Sequence, residues 1–283
     1  KELQSCIVFL RPLGLRLMYR NIFDTHAHYT SRWFRPDRPE LLSVLPWLGV
    51  EAVVDCGTDY DSTLQSIALA ERYPWIYTAA GIHPESIIEE DASTNTRFGG
   101  DWKAEMDAIR PLYSHPKVVA VGEVGLDYHW PVPKDAQLAM FEAHLQLALE
   151  LDMPIIVHDR EAHADTYALL AKYRPRGVVH CYSGSAEDAV RLVEQGMYIG
   201  FTGACTFKGA KRALKAIEAI PADRLLLETD CPYMAPTPHR GKRCDSSLIP
   251  FTAEVMARVK GMDVQQMLDI TCANAARLFG VNI

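Results

Sequence analysis

The chain has 283 residues, of which 48% are hydrophobic, and its formal net charge is −7 at neutral pH. This length is usual for one α/β barrel. The acidic balance argues against a protein that coats nucleic acid non-specifically, because such proteins need a basic surface. It leaves a metal-centred nuclease open, since bound cations and a local basic patch can hold one or two phosphates. No apolar run approaches the roughly 18 residues of a membrane span.

The first residues carry no sign of the folded domain. Residues 1–17 are predicted to be an N-terminal extension, and one domain is predicted over residues 18–283. The apolar run at residues 6–10 is short for a signal-peptide core. Seven cysteines without a spacing pattern favour a reduced, cytoplasmic protein. We expect no membrane association and no obligate protein partner.

Short apolar runs alternate with helical patterns along the whole chain. Strands are predicted at residues 22–24, 52–55, 76–80, 118–122, 155–157, 178–179, 198–200 and 225–227. Helices are predicted at residues 61–72, 136–151, 186–195 and 210–220, and closing helices within 256–279. Eight strands with intervening helices indicate a single-domain (β/α)8 barrel of the TIM type.

Six potential metal ligands each stand at the end of a predicted strand. They are His26, His28, Glu123, His158, His180 and Asp230. The carboxyl ends of barrel strands meet at one rim, where the active sites of such barrels lie. Four histidines and two carboxylates are about what a two-metal hydrolase needs.

Individual positions in this set suggest individual roles. His26 and His28 share a strand face, so both imidazoles can point at one metal. Glu123 has two oxygens and could bridge two metals, although a solvated glutamate in a glycine-rich turn is the alternative. His158 and His180 would then hold the second metal. Asp230 would bind the first and accept a proton from water; the alternative is a turn-forming aspartate before a proline.

Three further positions could contact the substrate or the ligands. His83, before Pro84, could donate to a phosphate or a leaving oxygen, or be a structural histidine at a turn. Tyr182 offers a hydrogen-bond donor to a substrate. Glu228 shares a strand face with Asp230 and could support the ligands from behind.

A basic loop follows the last predicted strand. Arg240, Lys242 and Arg243 lie within four residues, and such a cluster suits a phosphate backbone. A solvated loop is the equally weighted alternative. Arg240 and Arg243 are the predicted substrate-binding residues.

Six of these segments together resemble the TatD family of metal-dependent deoxyribonucleases. They are Asp-Thr-His-Ala-His (24–28), Gly-Ile-His-Pro (81–84), Gly-Glu-Val-Gly-Leu-Asp-Tyr (122–128), Pro-Ile-Ile-Val-His-Asp-Arg (154–160), His-Cys-Tyr-Ser-Gly (180–184) and Glu-Thr-Asp-Cys-Pro-Tyr (228–233). The resemblance runs in register over about residues 19–279. It implies a TIM-like barrel of the amidohydrolase type, divalent metals at the six residues named above, and phosphodiester hydrolysis. One motif departs: similar proteins carry Arg-Gly-Lys-Arg-Asn-Glu-Pro where this chain has Cys244, Asp245 and Ser246 after the basic residues.

The resulting hypothesis is a deoxyribonuclease in which two metal ions activate a water molecule. Asp230, Glu123 and His83 are the predicted catalytic residues, the metals would be Mg, Mn or Zn, and the substrate would be single-stranded DNA or DNA ends. The alternative is an ester or amide hydrolase on the same metal pair, such as a D-aminoacyl-tRNA deacylase, which would need a pocket for an acyl group. The third hypothesis is a non-catalytic metal-binding scaffold, and the full ligand set argues against it.

Overall fold

The computed structural model describes residues 19–283, so the predicted extension over residues 1–17 lies outside the described residues. Parallel strands follow one another around a sheet in chain order, each hydrogen-bonded to the next. They are β1 Ile22–Ala27, β2 Val50–Cys56, β3 Ile76–Ala80, β4 Val118–Asp127, β5 Ile155–Arg160, β6 Gly177–Val179, β7 Met197–Phe201 and β8 Leu225–Leu227.

The helices lie between the strands and after the last one. They are α1 Arg38–Val44, α2 Tyr60–Arg72, α3 Ser93–Thr96, α4 Trp102–Ile109, α5 Lys134–Glu150, α6 His163–Tyr173, α7 Ala186–Glu194, α8 Lys211–Ala219, α9 Ile249–Lys260 and α10 Val264–Phe279. None of the helices within residues 19–283 is long and apolar enough to span a bilayer.

The strands bury both faces, which is why they read as continuous apolar runs. Val54, Ile156 and Leu226 lie on the face that packs inside the barrel, in one cluster with Leu278 of α10. The opposite strand face packs against the surrounding helices. Phe279 of α10 belongs to the interior cluster as well, so the last helix closes the barrel end that lies away from the site.

The first and last strands meet through the segment after β8. Ala27 forms a parallel bridge with Cys231. The Asp230 amide donates to the His26 carbonyl at 2.8 Å, and the His28 amide donates to the Cys231 carbonyl at 2.9 Å. This closure places Asp230 beside both histidines of β1, although they are far apart in sequence.

The (β/α)8 barrel in a single unit is confirmed, and every predicted strand is present. Strands β1, β4 and β5 run further than predicted, so His26 lies inside β1, Glu123 inside β4 and His158 inside β5 rather than after them. Helices α1, α3, α4 and α6 are not among the predicted elements. Each of these helices buries only one or two side chains, so no apolar face recurs at helical spacing.

Candidate metal centre

The six predicted ligands converge at the carboxyl-terminal rim, and the β1 histidines form its first half. The Nε2 atoms of His26 and His28 lie 3.1 Å apart. Glu123 Oε2 is 3.2 Å from His26 Nε2 and 3.4 Å from His28 Nε2. Asp230 Oδ1 is 3.5 Å from His28 Nε2. Four donors from β1, β4 and the segment after β8 therefore face one small volume.

His158 of β5 and His180 after β6 form the second half. Glu123 Oε1 lies 2.9 Å from His158 Nδ1 and 2.8 Å from His180 Nε2. The two imidazole nitrogens are 3.3 Å apart. Glu123 thus turns one carboxylate oxygen toward each half.

The close approach of His158 to Glu123 depends on a glycine in β4. Gly125 pairs with His158 across the two strands and has a φ of +150°. A Cβ atom on this residue would lie 2.0 Å from the His158 carbonyl oxygen. Only glycine allows both this backbone conformation and this strand spacing.

The hydrogen-bond partners of the histidines show that the site fits metal ions. His28 Nδ1 faces the Cys56 carbonyl at 3.0 Å, and His158 Nε2 faces Asp127 Oδ2 at 3.0 Å. We assign the ring protons to these nitrogens, because only a donor satisfies an oxygen there. The opposite ring nitrogens then carry lone pairs that face the oxygens of Glu123. In both halves of the centre, hydrogen-bond acceptors therefore face one another, and a divalent cation bound between them would satisfy them.

Burial and neighbouring imidazoles set the charges of the centre. Burial alone would raise the pKa of Glu123, but His26, His180 and His83 together hold that pKa well below its usual range. Burial lowers the pKa of His26 to about 4, which keeps this ring neutral. Asp127 and Glu123, by contrast, overcome the effect of burial and raise the pKa of His158 to about 10, and Asp230 and Glu123 raise the pKa of His28. These two rings must therefore release a proton when a metal binds.

His83 also reaches this centre. Its Nδ1 accepts the Glu85 amide at 3.2 Å, where it caps the turn after β3. The ring proton therefore lies on Nε2, which is 3.6 Å from Glu123 Oε1. Burial lowers the pKa of His83 to about 3, so the residue is a neutral donor that points into the site.

Glu228 lies behind His180, as its shared strand face with Asp230 suggests. Its Oε1 is 3.7 Å from His180 Nδ1 and accepts the Cys181 amide. A Cβ on Gly200 of β7 would come within 2.3 Å of the same carboxylate. Burial raises the pKa of Glu228 to about 7.

Sequence reasoning missed Asp127, which holds His158 from behind. Its carboxylate accepts from His158 Nε2 at 3.0 Å and from the His129 amide at 2.9 Å. A signal was present, since residues four apart in a strand share a face and Asp127 stands four after Glu123 in one predicted motif.

The structure does not bring Tyr182 into the cluster. This residue is buried, and its hydroxyl donates to the Ser185 carbonyl at 2.6 Å. To donate a hydrogen bond to a substrate, as predicted, the Tyr182 hydroxyl would first have to break this bond.

Comparison with known proteins identifies the family. The family described as TatD related DNase matches residues 23–280. The chain belongs to the TatD family. YabD, a metal-dependent hydrolase of Bacillus subtilis, is 39% identical over 92% of this chain and all of its own length. The 3'-5' ssDNA/RNA exonuclease TatD of Salmonella typhimurium is 35% identical over 92% of this chain and 99% of its own.

A solved structure supports the same assignment. YJJV, a TatD homologue from Escherichia coli K12, is similar to this chain with a TM-score of 0.82 and 28% sequence identity. The match covers 93% of this chain and 99% of that one. The protein is therefore a metal-dependent hydrolase of the TatD family with a TIM barrel.

The two arginines of the basic loop have different surroundings in this TatD chain. Arg243 donates to both carboxylate oxygens of Asp37 at 2.6 and 2.7 Å and to the Trp33 carbonyl at 3.1 Å. Arg240 is exposed, and its guanidinium lies 4.4 Å from the centre of the Phe207 ring. Arg240 is free to meet a phosphate, whereas Arg243 would first have to give up an ion pair.

The departure from the TatD pattern at Ser246 has a structural role. Asp24 is buried, and its carboxylate accepts from the Ser246 hydroxyl at 2.7 Å and the Thr229 hydroxyl at 2.6 Å. Its other oxygen accepts the Thr229 amide at 3.0 Å and the His26 amide at 3.3 Å. Asp24 thereby joins the β1 histidine to the segment that carries Asp230.

We expect Asp24→Asn to lower both stability and turnover, because the amide nitrogen of asparagine would replace one carboxylate oxygen and cannot accept the two hydrogen bonds made there. An unsatisfied buried group costs about 1–3 kcal/mol, and loss of a group that orients metal ligands costs about 10- to 100-fold in activity. Ser246→Ala removes one of those donors and should lose about 1 kcal/mol. Denaturant unfolding and kcat measure the two effects. Equal stability of Asp24→Asn and the wild type would contradict the role of this network.

Proposed function

We propose that this protein hydrolyses phosphodiester bonds of DNA with two divalent cations. One observation carries the proposal: the two oxygens of Glu123 face two separate groups of imidazole nitrogens, at 3.2 Å on one side and 2.8 Å on the other. A carboxylate placed between two ligand groups is the arrangement by which hydrolases hold a pair of metals.

The donor set divides between two sites. His26, His28 and Asp230 would hold the first cation, His158 and His180 the second, with Glu123 between them. Nitrogen and oxygen donors suit Zn and Mn, and Mg where fewer imidazoles take part. When bound, such cations lower the pKa of a water molecule and stabilise negative charge on the phosphate.

The remaining chemistry belongs to side chains around the ligands. Asp230 has 16% of its side chain exposed, so water can reach its carboxylate. The neighbouring imidazoles of His28, His26 and His180 offset burial and lower the pKa of Asp230, and the ionised carboxylate can accept the proton of the attacking water. His83 Nε2 can donate to a phosphate oxygen or to the leaving oxygen.

The substrate class rests on two supports. A relative that this chain matches over nearly its whole length is named as an exonuclease of single-stranded DNA and RNA. The exposed Arg240 and Lys242 lie on the loop after β8, close in sequence to Asp230. We therefore propose single-stranded DNA or DNA ends as substrate. We also propose a reducing compartment such as the cytoplasm, because the six cysteines within residues 19–283 are free thiols.

An activity screen separates this function from the alternative. Metal-free protein reloaded with Mg, Mn or Zn would be given single-stranded DNA, duplex DNA and a D-aminoacyl-tRNA. We expect cleavage of single-stranded DNA and no release of amino acid. Deacylation without DNA cleavage would instead support the acyl ester hydrolase. If neither DNA nor the aminoacyl-tRNA is hydrolysed, the result would support a non-catalytic metal-binding scaffold.

The two arginines should respond differently to substitution. Arg240→Ala should raise KM for single-stranded DNA and flatten the salt dependence of binding by about 0.7 per lost phosphate contact. Arg243→Ala should instead lower stability by about 1 kcal/mol, as expected for loss of a partly exposed ion pair, and Asp37→Ala should do the same. Salt titrations and denaturant unfolding distinguish the two residues. A flatter salt slope for Arg243→Ala but not for Asp37→Ala would give Arg243 a direct phosphate contact.

A further inference from the structure

A pocket of aromatic and basic side chains lies beside the metal centre. Its volume is about 380 Å³, which is within the range of small-ligand sites. It is lined by loops that follow β1, β7 and β8. The side chains that matter are Trp33, Phe207, Tyr233, Met234, Arg240 and Lys242.

Exposure of its aromatic rings marks this pocket. Trp33 is 57% exposed and Tyr233 is 55% exposed. Large apolar side chains gathered at one exposed place indicate a binding surface. Rings from two separate loops give two aromatic faces at the mouth of one pocket.

The pocket has a fixed position relative to the ligands. The Tyr233 amide donates to the Asp230 carbonyl at 3.0 Å. Arg243 ties the two loops together through the Trp33 carbonyl and Asp37. The rings are therefore held near the reacting phosphate before any substrate binds, which reduces the entropic cost of binding.

The charges of the pocket complete the pattern. Arg240 and Lys242 are exposed, and within residues 19–283 no carboxylate lies within 4.0 Å of either. Arg240 stacks on Phe207. Aromatic faces beside unpaired cations are how proteins bind single-stranded nucleic acid, with bases on the rings and phosphates on the cations.

The opposite side of the rim has the reverse charge. Glu85 and Glu89 lie in the segment after β3, Glu161 lies after β5, and Asp165 lies in the first turn of α6. These acidic side chains repel a phosphate backbone. A nucleic acid strand therefore approaches over β7, β8 and β1, across the aromatic pocket.

We propose that this pocket binds the unpaired nucleobase of the nucleotide next to the scissile phosphate, stacked against Trp33 and Tyr233. A base in a duplex has its faces covered by its neighbours and cannot enter. The pocket thus selects single strands over duplexes. This inference rests on the proposed nuclease function.

The test compares Trp33→Ala with Trp47→Ala on substrates with and without a base. Trp47 is 73% exposed and lies just before β2, at the other end of the barrel, so it is a matched control. The substrates are a single-stranded oligonucleotide, the same strand with an abasic site at the proposed position, and a small phosphodiester that joins two abasic deoxyriboses and has no aromatic ring. The Arg243 bond is to the Trp33 carbonyl, so this substitution leaves it in place.

Trp33→Ala should raise KM for the oligonucleotide about 5- to 100-fold, the effect of losing one stacked base. For the wild type, replacing the intact strand by the abasic strand should raise KM by a similar factor. For Trp33→Ala, the same replacement should raise KM only slightly. Turnover of the small phosphodiester should be unchanged, Trp33→Phe should recover part of the affinity, and Trp47→Ala should match the wild type.

Other outcomes overturn the proposal. A base pocket would be rejected if Trp33→Ala left KM for the oligonucleotide unchanged, or if it weakened activity on the small phosphodiester equally. It would also be rejected if Trp33→Ala raised KM equally for duplex and single-stranded DNA. Failure of the wild type to cleave any phosphodiester would reject the nuclease function instead. In that case fluorescence anisotropy with the same oligonucleotides still tests the pocket, and equal affinity for the intact and abasic strands would reject it.

Discussion

Glu123→Gln is expected to remove most of the activity and at least one of the two metals. Glutamine has the same shape but carries no charge, and only one of its two terminal atoms can ligate a cation. One face of the residue would then present an amide group to the imidazoles, which lie 2.8–3.2 Å from the present oxygens. We expect kcat to fall by about 10³-fold or more, since the electrostatic stabilisation supplied by two metals is lost.

Elemental analysis after reloading would measure the metal content of the same preparation. Glu228→Gln is the matched control, because it neutralises a neighbouring buried carboxylate that contacts His180 rather than both halves. It should keep two metals and lose activity by about 10-fold. Two metals at normal occupancy in Glu123→Gln would show that this residue does not bridge.

Asp230→Asn is expected to lower kcat by about 10²- to 10⁴-fold, the range of a general base. Asparagine keeps one ligand oxygen but cannot accept the proton. The backbone at Asp230 is left-handed, with a φ of 56°, and asparagine tolerates this conformation well. The fold should therefore survive the change.

Metal content and pH profiles would separate the two roles of Asp230. If it acts mainly as base, Asp230→Asn keeps the first metal and its rate rises with an added small base such as formate or at higher pH. If it acts only as a ligand, activity and metal content fall together and excess metal restores both. A variant with wild-type kcat at saturating metal would remove Asp230 from the proton-transfer step.

The barrel and the convergence of the six predicted ligands could be predicted from sequence because they depend on local patterns. Each ligand ends an apolar run, and parallel strands bring their carboxyl ends to one rim. His26 and His180 can be recognised as candidate ligands without knowing which distant residues they contact. Their meeting at Glu123 follows from the barrel itself.

The supporting contacts could not be predicted in the same way. Asp24 bonds to Thr229 and Ser246, which are 205 and 222 residues away. Arg243 bonds to Asp37 across 206 residues. Whether a charged side chain is free or paired depends on such contacts, so the basic loop looked uniform in the sequence although its two arginines differ.

Anomalous scattering from crystals grown with Mn²⁺ tests the central claim most directly. The account predicts two peaks roughly 3.5–4 Å apart, one beside His26, His28 and Asp230 and the other beside His158 and His180. The Glu123 carboxylate should lie between them with one oxygen on each. A single peak at saturating Mn²⁺, or two peaks of which only one touches Glu123, would contradict a bridged two-metal centre.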